Sequence, residues 1–345
     1  MKYCEEYNKD LIRVIENIPE AESLFGKSIL ITGATGLIGS GVTDLLHCLN
    51  TVKNAGIRIL IAARNRRRVA ERFYEMEEGR NYTFVQYDAL LPVETNEHAD
   101  FVIHGACNAS PAAYVSEPVE IMESNITGIG NLLKYAAAEK SQRVLYISSS
   151  EVYGQKTDGK PYSEEDYAFL DILNPRAPYP SSKRAAETLC VAYGLEYGVD
   201  SVIVRPGHIY GPAVTPSDSK ATAQFTRNAV AGEPIVMKSA GTQLRSYTYF
   251  LDCASAILTV LIKGENGKAY NISNPDSVIT ISQIASCIAK AAGMQIKYED
   301  PSALEAAGYN LMSNSSLDAG RLIALGWKPQ FSPEEGAEKC VKFYS

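Results

Sequence analysis

The segment Ile29-Leu30-Ile31-Thr32-Gly33-Ala34-Thr35-Gly36-Leu37-Ile38-Gly39 reads as a strand, a tight turn and the start of a helix. Its opening apolar run is of strand type, and Ile38, Val42, Leu45 and Leu49 then recur at helical spacing. Glycine tolerates a positive φ, and a turn without side chains lets backbone N–H groups approach a pyrophosphate. The helix start then faces that anion with the positive end of its dipole. The spacing is G-x-x-G-x-x-G, at Gly33, Gly36 and Gly39, rather than G-x-G-x-x-G. Alone, such a triplet also fits a packed turn in some other α/β protein. The strand before it and the helix after it favour dinucleotide binding, with Gly33, Thr35, Gly36, Leu37, Ile38 and Gly39 as the expected cradle.

Outward from this turn the chain alternates strands and helices. Ile57–Ala63 is a second strand, followed by Arg64-Asn65-Arg66-Arg67-Arg68. An NAD site usually carries an acid near this strand end for the ribose 2′-OH, whereas an arginine accommodates a 2′-phosphate. No acid is present, so Arg64 leans the choice between NAD and NADP toward NADP; the alternative is a solvated basic turn. Tyr82–Gln86 is a third strand, and Asp88, with Ala89 beside it, is placed to accept the adenine N6 amine. Asp100–His104 is the next strand; the small residues Gly105-Ala106-Cys107-Asn108-Ala109 at its end leave room for cofactor, Ala106 being the expected contact. A long helix carries Met122, Ile126, Ile129, Leu133 and Ala136 on one face. Arg143–Ile147 and Val202–Arg205 are further buried strands. The pattern predicts an α/β protein with a parallel sheet covered by helices on both faces.

After Gly207 the alternation loosens, and residues 212–245 are rich in small and polar types, as expected of a lobe that covers substrate. A strand near 269–272 and a helix near 281–292 follow. At the other end, Leu11, Ile12, Val14, Ile15 and Ile18 mark an amphipathic helix, read first as a packing appendage and otherwise as a cover for the sheet edge or part of a subunit interface. The division that results is an N-terminal helical extension (1–26), a dinucleotide domain (27–206) and a mainly substrate-binding lobe (207–345) from which some segments return to the first domain.

The 345 residues suffice for two domains, and 46% hydrophobic with 21% charged residues is ordinary for a globular chain. A net charge of −7 argues against a broad nucleic-acid surface. No apolar run approaches the roughly 18 residues that cross a bilayer. The polar, acidic start Met1–Tyr7 does not resemble a signal peptide. Seven scattered cysteines without C-x-x-C fit free thiols in a reducing compartment and argue against zinc or a disulfide framework. The expectation is a cytoplasmic protein with no metal, membrane or nucleic-acid partner.

Two further segments carry chemistry. Ser148-Ser149-Ser150-Glu151-Val152-Tyr153-Gly154 follows a strand directly, and Tyr179-Pro180-Ser181-Ser182-Lys183 opens a helix with Ala185, Leu189 and Tyr193 on its apolar face. Tyr179 and Lys183 are one helical turn apart and share a face. An ammonium beside a phenol favours the phenolate. That pair is a general base able to take a hydroxyl proton while hydride leaves the same carbon, with the Ser150 hydroxyl bonding the same alcohol. A lone Y-x-x-x-K is more often an ordinary surface helix. Joined in this order to the glycine turn and the serine strand end, it points to an alcohol-oxidising site of Ser150, Tyr179 and Lys183.

These motifs, together with Arg205-Pro206-Gly207-His208-Ile209-Tyr210-Gly211-Pro212, resemble the extended short-chain dehydrogenase/reductases of the nucleotide-sugar epimerase, dehydratase and decarboxylase group, over residues 27–330. The resemblance implies a Rossmann-type doubly wound sheet with a smaller C-terminal α/β substrate lobe. It implies an NAD(P) cofactor, contacted also by Tyr179, Lys183, Pro206 and His208, and a nucleotide-sugar substrate. It further implies a homodimer through helices near 118–138 and 180–197.

Within that group, dehydratases carry Thr-Asp-Glu where this chain has Ser149-Ser150-Glu151, so the aspartate acid for water elimination is missing. Ser150-Glu151 resembles UDP-glucuronate decarboxylases instead, as do Ala109-Ser110-Pro111-Ala112-Ala113-Tyr114 and Arg245-Ser246-Tyr247-Thr248-Tyr249. By that resemblance Ser110, Tyr114, His208 and Arg245 contact substrate, and Glu151 orients or protonates an intermediate. The chain departs from the decarboxylases in having no asparagine at Gly207-His208 and Ala213, not arginine, after Pro212. An epimerase or reductase acting on a nucleotide-linked sugar or polyol is the alternative, and a non-catalytic NADP(H) sensor the remote one.

Overall fold

The structure, a computed structural model, describes residues 3–107, 111–214, 218–301 and 312–344. Strands β1 (Ser28–Thr32), β2 (Arg58–Ala63), β3 (Thr83–Gln86), β4 (Phe101–His104), β5 (Arg143–Ile147) and β6 (Ser201–Pro206) lie in one sheet. The chain then leaves it for β7 (His208–Tyr210), β8 (Ile235–Met237) and β9 (Leu244–Tyr249), and returns as β10 (Ala269–Ile272). The order is β10-β6-β5-β4-β1-β2-β3, and each pairing is parallel. From β1 the chain winds outward one way to β3; from β4 it winds the other way. The switch point therefore falls between β1 and β4, and ligands of such sheets bind outside the carboxyl ends of the strands there. The glycine turn leaves β1 at that point, and Gly105 leaves β4 beside it.

Strand pleating sends alternate residues to opposite cores. Ile29 and Ile31 belong to one cluster, on the side of α1 (Glu5–Ile15), α2 (Leu37–Lys53) and, later in the chain, the helix Phe250–Lys263. Leu30 belongs to the other, with Ile129, Leu132, Leu133, Ala186 and Cys190. Those residues lie on two long helices. After α3 (Arg66–Arg72) and α4 (Pro111–Ser116), these are α5 (Pro118–Glu139) and α6 (Pro178–Tyr197), which pack on each other.

In the smaller lobe, α7 (Ala221–Val230) precedes β8, and Phe250–Lys263 is α8. The strand β9 pairs with β7, with β11 (Val278–Thr280) and with the short segment Asn314–Ser315. Helix α9 (Ile281–Ala292) starts with a capping box between Thr280 and Gln283, which holds its first turn.

The N-terminal helix lies on α2 and α8, as the packing-appendage reading expects, whereas one expectation for α6 changes. Tyr3 and Tyr7 each donate to Asp44 of α2 at 2.7 Å, while Asp10 pairs with Lys339 at 2.7 Å and Arg13 with Glu335 at 3.0 Å on the terminal helix Pro333–Phe343. On α6 the buried stripe is Tyr179, Ser182, Lys183, Ala186, Glu187 and Cys190, not the Ala185 face. Ala185 is exposed, as are Val191, Leu195 and Tyr197, so this helix has a second, outward apolar edge.

Candidate active site

Gly33 has φ +73°, and a Cβ there would lie 2.6 Å from the Gly105 carbonyl carbon; at Gly39 it would lie 2.3 Å from the Gly33 oxygen. The turn is thus closed against β4 with no space for a side chain. Gly36 is the N-cap of α2 and offers no side-chain acceptor, which leaves the first-turn N–H groups of Leu37, Ile38 and Gly39 for an anion. Thr35, Leu37 and Ile38 are partly exposed around it. The Thr32 hydroxyl accepts from the Gly105 and Ala106 amides at 3.2 Å each and meets His104 Nδ1 at 2.7 Å, which fixes the floor of the crevice. A pyrophosphate fits this cradle.

At the adenosine end, Arg64 is exposed, and Asn65 beside it caps α3 by accepting from the Arg68 amide at 3.0 Å. Asp88 and Ala89 follow β3; Asp88 accepts from the Leu90 amide at 3.0 Å, and Ala89 lies over the Gly128 backbone of α5. At the nicotinamide end, Lys183 is buried and donates to the Ile147 carbonyl at 2.9 Å, with its ammonium 5.8 Å from the Tyr179 ring centre. Pro206 ends β6, and His208 opens β7 one residue later.

The reacting centre is built around the Tyr179 phenol, which is 4% exposed. Its ring stacks on Tyr114 with centroids 4.3 Å apart and an interplanar angle of 15°. Its hydroxyl lies among the side-chain hydroxyls of Ser149 and Tyr114. Ser149, the N-cap of the turn Ser150–Tyr153, meets the phenol, and its Oγ also accepts from the Glu151 amide at 3.2 Å. Ser150 starts the turn next to it. Burial pushes Tyr179 well above the usual tyrosine range, and the neighbouring Cys107 and Glu151 push the same way against the Ser149 bond.

Glu151 is paired with Arg176, whose Nη2 donates to its Oε1 at 2.7 Å. Arg176 was not singled out from the sequence; it lies three residues before Tyr179 in a loop without periodicity. The same guanidinium lies 5.6 Å from the Tyr114 ring centre. Arg245 on β9 is buried, its Nη1 donating to the Leu244 carbonyl at 2.9 Å, and it faces Glu151 and Arg176 electrostatically. His208 packs against Tyr247, with its Nδ1 buried and unpartnered. Burial, reinforced by Arg245, Lys220 and Arg176, lowers its pKa to about 3, so the ring is neutral at pH 7. The structure thus brings together Glu151, Tyr179, Lys183, Tyr114, Arg245 and His208. Ser110 lies outside the described residues. Among the described residues no group of three or more His, Cys, Asp or Glu is placed to hold a metal, and no helix is long and apolar enough to cross a membrane.

Residues 29–273 match the NAD dependent epimerase/dehydratase family. Over 324 residues the chain is 29% identical to UDP-glucuronic acid decarboxylase 1 of Xenopus tropicalis, covering 92% of this chain and 72% of that one. It is 29% identical over 350 residues to dTDP-glucose 4,6-dehydratase 1 of Escherichia coli K12, covering 92% of each. Among solved structures it is similar to UDP-glucuronic acid 4-epimerase from Bacillus cereus in complex with UDP-glucuronic acid and NAD. That likeness has a TM-score of 0.74 and 23% identity, and covers 92% of this chain and 98% of that one. The site therefore defines an enzyme of the extended short-chain dehydrogenase/reductase type with a nicotinamide dinucleotide cofactor. The chain belongs to the NAD dependent epimerase/dehydratase family. The family description and the Bacillus structure both name NAD, and the lean toward NADP drawn from Arg64 has no support in them.

Proposed function

We propose that this enzyme acts on a nucleotide-activated uronic acid and removes its carboxyl group by transient oxidation at C4. The observation that carries this reading is the constellation at Tyr179: a buried phenol bonded to Ser149, with Glu151 and two guanidinium groups, Arg176 and Arg245, beside it. The likeness to a UDP-glucuronic acid decarboxylase supports it. When bound, the dinucleotide accepts the hydride from C4 and returns it. Tyr179 takes the C4 hydroxyl proton, while Ser149 holds the same oxygen. Lys183 places positive charge under the phenol and offsets the cost of the phenolate in a buried site. The substrate is then a β-keto acid, which loses CO2 because the adjacent ketone takes up the electron pair as an enolate. Arg245 pairs with the acidic part of the substrate, and Glu151 directs the proton that returns to C5. Ser150, Tyr114 and His208 line the substrate side, and the Gly33–Gly39 turn with Asp88, Ala89, Ala106 and Pro206 holds the dinucleotide.

A 4-epimerase is the second reading. It is favoured by the absence of an asparagine at Gly207-His208 and by the likeness to a UDP-glucuronic acid 4-epimerase. The outward edge of α6, with Val191, Leu195 and Tyr197, supports a homodimer through α5 and α6. A cytoplasmic location follows from the cysteine pattern. The test is incubation with catalytic NAD or NADP and a panel of UDP-glucuronate, UDP-glucose and UDP-N-acetylglucosamine, read by mass spectrometry and NMR. Loss of CO2 from UDP-glucuronate is expected. An unchanged mass with a new stereoisomer assigns the epimerase reading, and a gain of two hydrogens in a parallel incubation with stoichiometric NADH or NADPH, the cofactor being oxidised, assigns a reductase.

A further inference from the structure

We propose that Arg176 is a positioning residue of this site: paired to Glu151, it holds that carboxylate at the reacting centre and offsets its charge so that Tyr179 can ionise beside it. The inference rests on Tyr179 being the base, and not on whether the product is a decarboxylated or an epimerised sugar.

The geometry is a short relay of contacts. Arg176 Nη2 donates to Glu151 Oε1 at 2.7 Å, with the two side chains 20% and 19% exposed, so solvent screens the pair only partly. The same guanidinium carbon lies 5.6 Å from the ring centre of Tyr114. Tyr114 in turn stacks on Tyr179 at 4.3 Å. One cation therefore touches both groups that border the phenol, the carboxylate and the ring. Arg176 thus bonds Glu151 and lies over the Tyr114 ring.

The charge argument follows from what faces Tyr179. The Lys183 ammonium lies 5.8 Å from its ring on the same helix. The Cys107 thiol after β4, Tyr114 on α4, Tyr146 on β5, and Ser149 with Glu151 after β5 complete its surroundings. Glu151 brings a carboxylate among them, and its charge opposes the phenolate. The reaction needs both anions together: the phenolate to take the proton, and the carboxylate in place for the later step. A cation bonded to the carboxylate from its far side satisfies both needs, because it keeps Glu151 fixed and reduces its field at the phenol.

The test is the pH dependence of kcat, recorded with whichever nucleotide sugar of the panel the wild-type protein converts, so failure of decarboxylation leaves it intact. A rate that depends on the Tyr179 phenolate rises with pH through the phenol's apparent pKa. Arg176→Gln uncovers the Glu151 charge, and the rising limb is expected to move up by about one pH unit, with about tenfold less turnover at neutral pH. Glu151→Gln is expected to move the limb down. The double variant should follow Glu151→Gln alone, and Arg176→Lys should keep the limb near its wild-type position. Thermal unfolding and NAD binding, measured in parallel, show that each variant is folded. If Arg176→Gln does not fold, the downward shift in Glu151→Gln tests the same pair from the other side. An unmoved limb in either single variant overturns the proposal, as does an Arg176→Gln shift that persists in the Glu151→Gln background. No turnover of any panel member by the wild-type protein overturns it together with the role of Tyr179.

Discussion

Helix α6 carries two regions of opposite character on one stripe. Tyr179, Lys183 and Glu187 follow one another a turn apart, and all are buried. At Glu187 the surroundings are saturated. Arg205 forks onto both carboxylate oxygens at 3.0 and 2.6 Å and also donates to the Tyr153 hydroxyl and the Glu164 carbonyl at 3.1 Å each. The Tyr153 hydroxyl donates to Asn271 Oδ1, and both Asn271 side-chain N–H bonds end on carbonyls. At Tyr179, two turns earlier, the polar groups are left partly open: Arg176 Nε, His208 Nδ1 and Ser148 Oγ are buried without partners. A buried network that is fully paired fixes a conformation.

Breaking each end in turn should separate chemistry from stability. The largest effect expected is on turnover in Tyr179→Phe, about 10²–10⁴-fold lower, with dinucleotide binding and thermal stability retained. Stopped assays on the panel beside a binding titration check it. At the other end of the helix, Arg205→Met strands the Glu187 carboxylate in a buried site and should cost about 3–5 kcal/mol in urea unfolding. The folded fraction should still bind dinucleotide. Gly39→Ala forces a Cβ to 2.3 Å from the Gly33 oxygen and should weaken dinucleotide affinity by about 1–3 kcal/mol, measured by calorimetry.

The smallest effect is graded with pH. His104 and His208 are both held neutral, each with its pKa lowered to about 3 by burial and by neighbouring cations, Lys183 for the first and Arg245 foremost for the second. The unfolded chain binds those protons near pH 6.5 and the native one does not, so stability is complete above that pH and falls as pH drops from about 6.5 toward 3. Each histidine contributes at most about 1.4 kcal/mol per pH unit. His208→Gln should flatten the acid slope of unfolding free energy while leaving the value at pH 8 closer to wild type.

Much of the fold was legible in the sequence, because it obeys periodicity. The glycine turn, the apolar strands and the Tyr179–Lys183 spacing each follow a backbone period, and the structure places the turn at the switch point between β1 and β4. The open end was less legible. Ser149 and Ser150 are adjacent identical residues where β5 gives way to a tight turn, and only the turn decides which hydroxyl meets the phenol. Arg176 reaches Glu151 across 25 residues of chain from a loop, where no pattern links the two. The buried face of α6 was misjudged because the helix is apolar on two sides, one toward the sheet and one outward. The return of β10 to the sheet edge beside β6 depends on a long connection through the smaller lobe, which local patterns do not encode.

The account rests on a sugar alcohol being oxidised and restored in one active site while a carboxyl group leaves. UDP-glucuronate carrying deuterium at C4, incubated with catalytic NAD, tests this most directly. The expected product has lost one CO2 and keeps its deuterium at C4, with no net reduced cofactor. A product that has lost its deuterium to a stoichiometric pool of reduced cofactor, or a substrate recovered with its carboxyl group intact, would contradict it.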